Sequence, residues 1–303
     1  MTSATTELPR PASLAEVKGW FRPVDQQLFR WFLSRQLDHE QRGDLLEMGA
    51  YMGKSAIFMA SYLRSSETFT VCDLFDSPAP DAANTKEMNK SYSTLTRRAF
   101  EANYLSFHEK LPEVVQAPTS VVPEHVTDGS CRFVHVDASH LYEHVHGDIA
   151  AAHKALVPEG IVSLDDYRAE HCPGVAFATW EAVAVDGLHP ICATGTKFYG
   201  TWGDPEPVRE ALLAWLKGRG DMWHEVQGLG EERLIRIDGK KAATPDQPES
   251  KHTAAAPPAP EPKPAPVAEP AAARPAMNRP SRARRLAKDI LPPIVTRAVR
   301  RKR

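Results

Sequence analysis

Residues 44–55, Asp44-Leu45-Leu46-Glu47-Met48-Gly49-Ala50-Tyr51-Met52-Gly53-Lys54-Ser55, pass from a short apolar stretch through two glycines into a helical pattern. A strand, tight turn and helix in that order is how an open α/β sheet builds a small-molecule site at a strand's carboxyl end. The glycines let the backbone turn sharply and let a ligand approach where a Cβ would clash. What the turn lacks narrows the choice. A dinucleotide fingerprint needs glycine where Tyr51 stands, and a P-loop needs four residues between its glycine and Gly-Lys-Ser, whereas only three separate Gly49 and Gly53. A P-loop-like nucleotide-binding enzyme is therefore the weaker alternative.

With 303 residues, 42% of them apolar, the chain can bury one core of more than 200 residues and still carry appendages. It has no run of 18 apolar residues and no charged-then-apolar leader pattern, and Cys72, Cys131, Cys172 and Cys192 show neither metal nor disulfide spacing. These features fit a cytoplasmic protein. Cys72 and Cys131 fall in predicted buried strands, where a free thiol behaves as a small apolar group.

Ser13 to Glu16 reads as a capping box, and Pro23 can open the next helix, residues 24–36, with Leu28, Trp31 and Phe32 on one face. Residues 69–74 form a second strand ending in Asp73. Residues 76–90 make a long loop of the kind that is usually functional, and a helix is expected over residues 92–108. A third strand, 114–116, is followed by the turn Ala117-Pro118-Thr119-Ser120, and a fourth, 131–136, runs into Asp137. Leu141, Val145, Ile149, Ala152 and Leu156 then mark a helix, and the fifth strand, 161–164, closes on Asp165-Asp166-Tyr167. Residues 190–200 offer a broken strand, and 222–226 with 233–237 fit a final antiparallel pair. The expected fold is α/β, a Rossmann-like seven-stranded, mostly parallel sheet with an antiparallel last strand and helices on both faces.

Asp137, Asp165 and Asp166 thus arrive at the carboxyl ends of neighbouring strands. Like charges there raise one another's pKa unless a cation neutralises them, and an all-oxygen donor set suits Mg²⁺. His140, three residues beyond Asp137, has the ordinary pKa of a base at neutral pH; as a helix-cap donor it would serve structure alone.

The order of motifs resembles a known family. Glu47-Met48-Gly49-Ala50-Tyr51-Met52-Gly53-Lys54-Ser55 is similar to the first motif, E-x-G-x-x-x-G-x-S, of class I S-adenosylmethionine methyltransferases. With Asp137, Asp165 and Asp166 it resembles the metal-dependent branch, which includes catechol O-methyltransferase and the sugar and macrolide O-methyltransferases. The likeness covers roughly residues 20–237. It implies that Glu47, Gly49, Tyr51, Gly53, Ser55, Asp73 and Ser120 bind S-adenosyl-L-methionine, with Asp73 on the ribose hydroxyls. It implies that Asp137, Asp165 and Asp166 hold Mg²⁺, with His140 as base and Asp137 beside it in catalysis; His171 is a second candidate to reach the pocket. The region of Trp20 would be a partial lid, although Trp20 and Trp31 read equally well as core. Asp166 stands where the catechol enzymes carry asparagine and the sugar branch aspartate, which points towards a saccharide or natural-product acceptor.

The division expected is a loose N-terminus (1–12), a methyltransferase domain (13–238), a disordered linker with 11 prolines between residues 241 and 280 (239–280), and a basic tail (281–303). The tail carries nine Lys/Arg against Asp289 alone, while the first 280 residues are acidic. Such a tail suits an anionic membrane surface or an acidic partner, and nothing suggests specific nucleic-acid binding. Expectation therefore favours a methyl-transferring homo-oligomeric enzyme, peripheral at a membrane if the tail docks. A non-catalytic cofactor-binding scaffold remains the alternative.

Overall fold

The computed structural model describes residues 8–79 and 95–253; the basic tail, most of the linker, the first seven residues and most of the 76–90 loop lie outside that range. The strands are β1 (Asp44–Met48), β2 (Phe69–Asp73), β3 (Glu113–Gln116), β4 (Cys131–Val136), β5 (Leu156–Leu164), β6 (His189–Ala193), β7 (Phe198–Thr201), β8 (Trp223–Leu229) and β9 (Glu232–Asp238). The principal helices are α1 (Pro23–Asp38), α2 (Lys54–Ala60), α3 (Arg97–Leu105), α4 (Val122–His125), α5 (Tyr142–Ala155), α6 (Pro173–Ala184) and α7 (Glu206–Lys217).

The nine strands form one sheet in the order β3-β2-β1-β4-β5-β7-β6-β9-β8. That is two more than the seven expected. Thr194 to Lys197 reverses the chain, so the stretch expected as one broken strand becomes two strands paired antiparallel, and both members of the final pair join the sheet. From β3 to β5 all pairs are parallel. Two successive antiparallel pairings return β6 to the direction of β5, and β9 is parallel to β6. The ends of β1, β2, β4, β5, β6 and β9 therefore share one edge of the sheet.

Strand alternation divides the core in two. Leu45, Phe133, Ile161 and Tyr199 pack with α1, α2, α3 and α7; Leu46, Val134, Val162 and Phe198 pack with α5 and α6. Helices thus cover both faces. Period two also puts Glu47, His135, Asp137, Asp165 and Lys197 on the face that carries Leu45, Phe133 and Tyr199, beneath α1.

Residues 239–253, expected to belong to the free linker, lie against the domain. Gln27 donates to the Ala243 carbonyl at 2.8 Å, Arg30 pairs with Asp246 at 3.2 Å, and the Lys251 amide donates to Ser106 O at 2.8 Å. Ser250 donates to Pro11 O at 2.6 Å and Thr253 to Ala12 O at 3.0 Å. Polar contacts of this kind leave no hydrophobic period in the sequence, so composition alone read the segment as linker. No helix among the described residues is long and apolar enough to cross a membrane.

Candidate active site

The glycine turn is fixed from the next strand. Asp73 Oδ2 accepts from the Ala50 and Tyr51 amides at 2.7 and 2.9 Å, and its Oδ1 accepts from the Phe75 amide at 2.7 Å. Burial raises its pKa, and these three amides oppose the rise. Gly49 has φ 81°, and a Cβ there would sit 2.0 Å from Asp137 O, so only glycine lets β1 and β4 meet at this point. Gly53 (φ 89°) is the N-cap of α2, and Tyr51 also holds a positive φ of 48°.

Above this turn lies a cavity of about 450 Å³, lined by Gly49, Tyr51, Ser55, Asp73, Ser120 and Asp137 among others, and by Asp148 of α5. Its volume is that of a small-molecule site. Lys18 to Phe21 form one wall; Trp20, 71% exposed, stacks on Tyr51 with ring centroids 5.7 Å apart. Trp20 therefore stands at the cavity wall, whereas Trp31 packs against the core. Five of the seven expected cofactor residues line the cavity. Gly53 and Glu47 do not. Gly53 shapes the turn from outside it. Glu47 is fully buried and Oε1 lies 2.7 Å from His135 Nδ1. Burial pushes its pKa to about 8, with the Ser55 hydroxyl and Lys197 drawing it down.

Glu47 begins a buried polar chain. His135 Nε2 is 2.8 Å from Lys197 Nζ, and Lys197 reaches Asp165 Oδ2 at 2.6 Å and Asp137 Oδ2 at 3.8 Å. Lys197 is 1% exposed; burial disfavours its charge, but Asp165, Asp137 and Asp25 outweigh that and raise its pKa. Burial and the adjacent Lys197 hold His135 neutral. Burial also pushes Asp165 up, but Lys197 overrides it and leaves this carboxyl below its ordinary value. Asp137 rises well above its ordinary value through burial and the charge of Asp165. Asp25 of α1 caps the chain, accepting from Thr194 Oγ1, Thr196 Oγ1 and Tyr199 OH at 2.9, 3.0 and 2.9 Å.

Asp166 takes a separate path. Its φ of 55° turns it away from Asp165, whose Oδ1 accepts the Asp166 amide at 2.9 Å. Asp166 Oδ2 faces His140 Nε2 at 3.4 Å, and this contact holds its pKa below the ordinary value. The His171 ring lies edge-on to His140 with centroids 6.0 Å apart. Ligand atoms of His135, Asp137 and Asp165 lie within 4.8 Å of one another, and those of His140, Asp166 and Cys172 do likewise. The expected metal triad is therefore close but divided, with Lys197 already beside Asp165. Lys197, His135 and Asp25 were missed in the sequence. The signal for His135 was polar residues recurring at every second position of an otherwise apolar strand, as in Phe133-Val134-His135-Val136-Asp137.

Residues 46–167 match the family model described as a methyltransferase domain. Among solved structures the chain is similar to the O-methyltransferase NovP, with 20% identity, 59% of this chain and 79% of that one covered, and a TM-score of 0.50. It is also similar to CalS11, a TDP-rhamnose 3'-O-methyltransferase in calicheamicin biosynthesis (17% identity, 60% and 82% covered, TM-score 0.41). A third is an O-methyltransferase from Bacillus cereus in complex with SAH (14%, 65% and 93%, 0.43). No curated protein matches the chain. Residues 46–167 thus match a methyltransferase domain, and the chain shares its fold with the O-methyltransferase NovP.

Proposed function

We propose that the protein methylates a hydroxyl of a saccharide or natural product, with S-adenosylmethionine as donor and Mg²⁺ at its carboxylates. The observation that supports this reading is a cavity running from the Asp73-anchored turn to Asp137, where carboxylates outnumber cations. The donor set fits a divalent ion: three carboxyls cluster beside one lysine, and a cation there would relieve the burial and repulsion that raise Asp137. The Asp137 and Asp166 side chains are 32% and 28% exposed, open to a ligand, whereas that of Asp165 is 9% exposed.

S-adenosylmethionine supplies an electrophilic methyl group, and Mg²⁺ a Lewis acid that lowers the pKa of a hydroxyl. Asp73 and the glycine turn would hold the donor, with Ser120 past β3 on the other side of the cavity, and the Trp20 segment would exclude water. Asp137, Asp166 and, behind them, Asp165 would hold the metal. His140 receives the acceptor's proton at Nε2, and Asp166 facing that nitrogen stabilises the imidazolium. Positioned proton transfer of this kind is worth about 10²–10⁴ in rate. Holding acceptor oxygen and methyl in line removes a further ~7–11 kcal/mol of barrier at most.

The test is a methyl-transfer assay on a panel of saccharide acceptors, with and without chelator, alongside calorimetry for S-adenosylmethionine, ATP and NAD. Turnover abolished by chelator and restored by Mg²⁺ is expected, with binding of S-adenosylmethionine alone among the three. Full turnover in excess chelator removes the metal, and ATP binding without S-adenosylmethionine binding removes the whole reading.

A further inference from the structure

A second cavity, of about 560 Å³, lies on the same edge of the sheet, beyond β5, where β6 and β9 end and β8 begins. Its walls carry Arg22, Arg168, Arg236 and Lys240, with Asp238 the lone acid and Trp223 the lone aromatic residue. This concentration of cations stands out in a chain whose first 280 residues are acidic. Arg236 pairs with Glu225 at 2.7 Å and Lys240 with Asp238 at 3.5 Å, but Arg22 and Arg168 have no ion pair among the described residues. Arg236 Nε is buried with no hydrogen-bond partner. Arg22 is the N-cap of the 16-residue α1, so the positive end of that helix adds to the same field. Trp223 is 52% exposed, with the Arg236 guanidinium 5.1 Å from its ring centre.

We propose that this cavity binds a nucleoside diphosphate group. Arginines grip phosphoryl oxygens through paired N–H donors, and three of them at one mouth suit two adjacent phosphates better than a single carboxylate. The indole offers a flat face on which a base can stack, worth about 1–3 kcal/mol for nucleobases on aromatic side chains. Arg168 follows Asp166 by two residues, and Gly195 lies in the turn that delivers Lys197, so the cavity adjoins the carboxylate cluster. A ligand anchored here by its diphosphate is placed to extend a linked sugar towards Asp166. That last step rests on the methyl-transfer reading; the binding itself does not.

Calorimetry on the full chain, with UDP, ADP, inorganic pyrophosphate and uridine as probes, tests it. Both nucleoside diphosphates are expected to bind, pyrophosphate more weakly and uridine more weakly still, with affinity falling as salt rises. Arg168→Gln and Arg236→Gln should each weaken the diphosphates about tenfold or more. Trp223→Ala should bring UDP down to the level of pyrophosphate, and S-adenosylmethionine affinity should stay unchanged in all three variants. Absence of binding by both diphosphates and pyrophosphate, or binding that neither arginine variant weakens, overturns the proposal. Pyrophosphate binding as tightly as UDP, with no effect of Trp223→Ala, overturns the nucleoside assignment. Failure of methyl transfer to plain saccharides leaves the binding result intact, so the two readings fail separately.

Discussion

Strand β4 carries a buried ionic cluster at each end, and the two are built on opposite principles. At its start Arg132, fully buried, donates to Glu67 Oε1 and Oε2 at 3.1 and 2.9 Å, to Gln36 Oε1 at 2.9 Å and to Tyr62 O at 2.7 Å. Arg64 adds a second cation to Glu67 at 2.7 Å. Each guanidinium nitrogen of Arg132 has an acceptor, and no acid is in excess. Beyond its other end Asp137 and Asp165 meet one lysine, and Asp166 faces His140. The first cluster is closed and ties together α1, the approach to β2, and β4; the second is left short of positive charge, the deficit that the proposed metal would fill. Burial of ions alone does not mark a site, whereas imbalance at the carboxyl edge does.

Asp137→Asn breaks the open cluster at its most exposed member. Turnover is expected to drop by about 10²-fold or more, since on the proposed reading a metal ligand is lost. The melting temperature should hold or rise, because one of the mutually repelling carboxyls is gone. A melting temperature that falls as far as it does for Glu67→Gln would erase the contrast. Glu67→Gln breaks the closed cluster instead. It should cost about 3–5 kcal/mol, roughly 10 °C in melting temperature, while turnover per folded molecule is kept.

Lys197→Met sharpens the comparison from the middle. It strips Asp165 of its counter-ion, and about 3 kcal/mol should be lost in metal-free buffer. Mg²⁺ should then restore thermal stability more in the variant than in the parent; equal shifts would place the metal elsewhere.

Acid separates the clusters further. Burial alone would raise Glu67, but Arg132 and Arg64 bring its folded pKa down to about 2, below the unfolded value of about 4.3. Its contribution is complete above about pH 4.3 and disappears as pH falls to about 2, so the gap between parent and Glu67→Gln should close over that window. Denaturant titrations at a series of pH values measure it. The smallest effect is expected outside both clusters. A chain ending at residue 253 should match the full domain in stability, and one ending at 238 should lose about 1–3 kcal/mol from the missing polar contacts.

Much of this was legible in the sequence because strands ending in acids announce themselves: β1, β2 and β4 lie where their apolar runs place them, and β5 contains its expected run but starts five residues earlier, at Leu156, which was expected on the helix. Asp73 was legible as a site residue, but its grip on the turn was not, since backbone donors leave no mark in a sequence. Glu47 was misplaced because a motif gives no depth; the pleat sends its side chain inward to His135. Lys197 was invisible for a topological reason. It comes from the start of β7, two strands later in the chain but next to β5 in the sheet, and only the reversal at Thr194 brings it beside Asp165. Residues 239–253 escaped because proline and alanine suggest an unpacked chain, while carbonyls and hydroxyls hold this one.

The meeting of Ser250 with Pro11 and of Thr253 with Ala12 means that the first and last described segments of the domain touch. A protein whose ends adjoin can be re-cut: joined there by a few residues and opened at an exposed turn such as Gly187, the same sheet should assemble from a rotated gene. Folding of such a rotated chain would make the order of synthesis a convenience rather than a requirement of the fold.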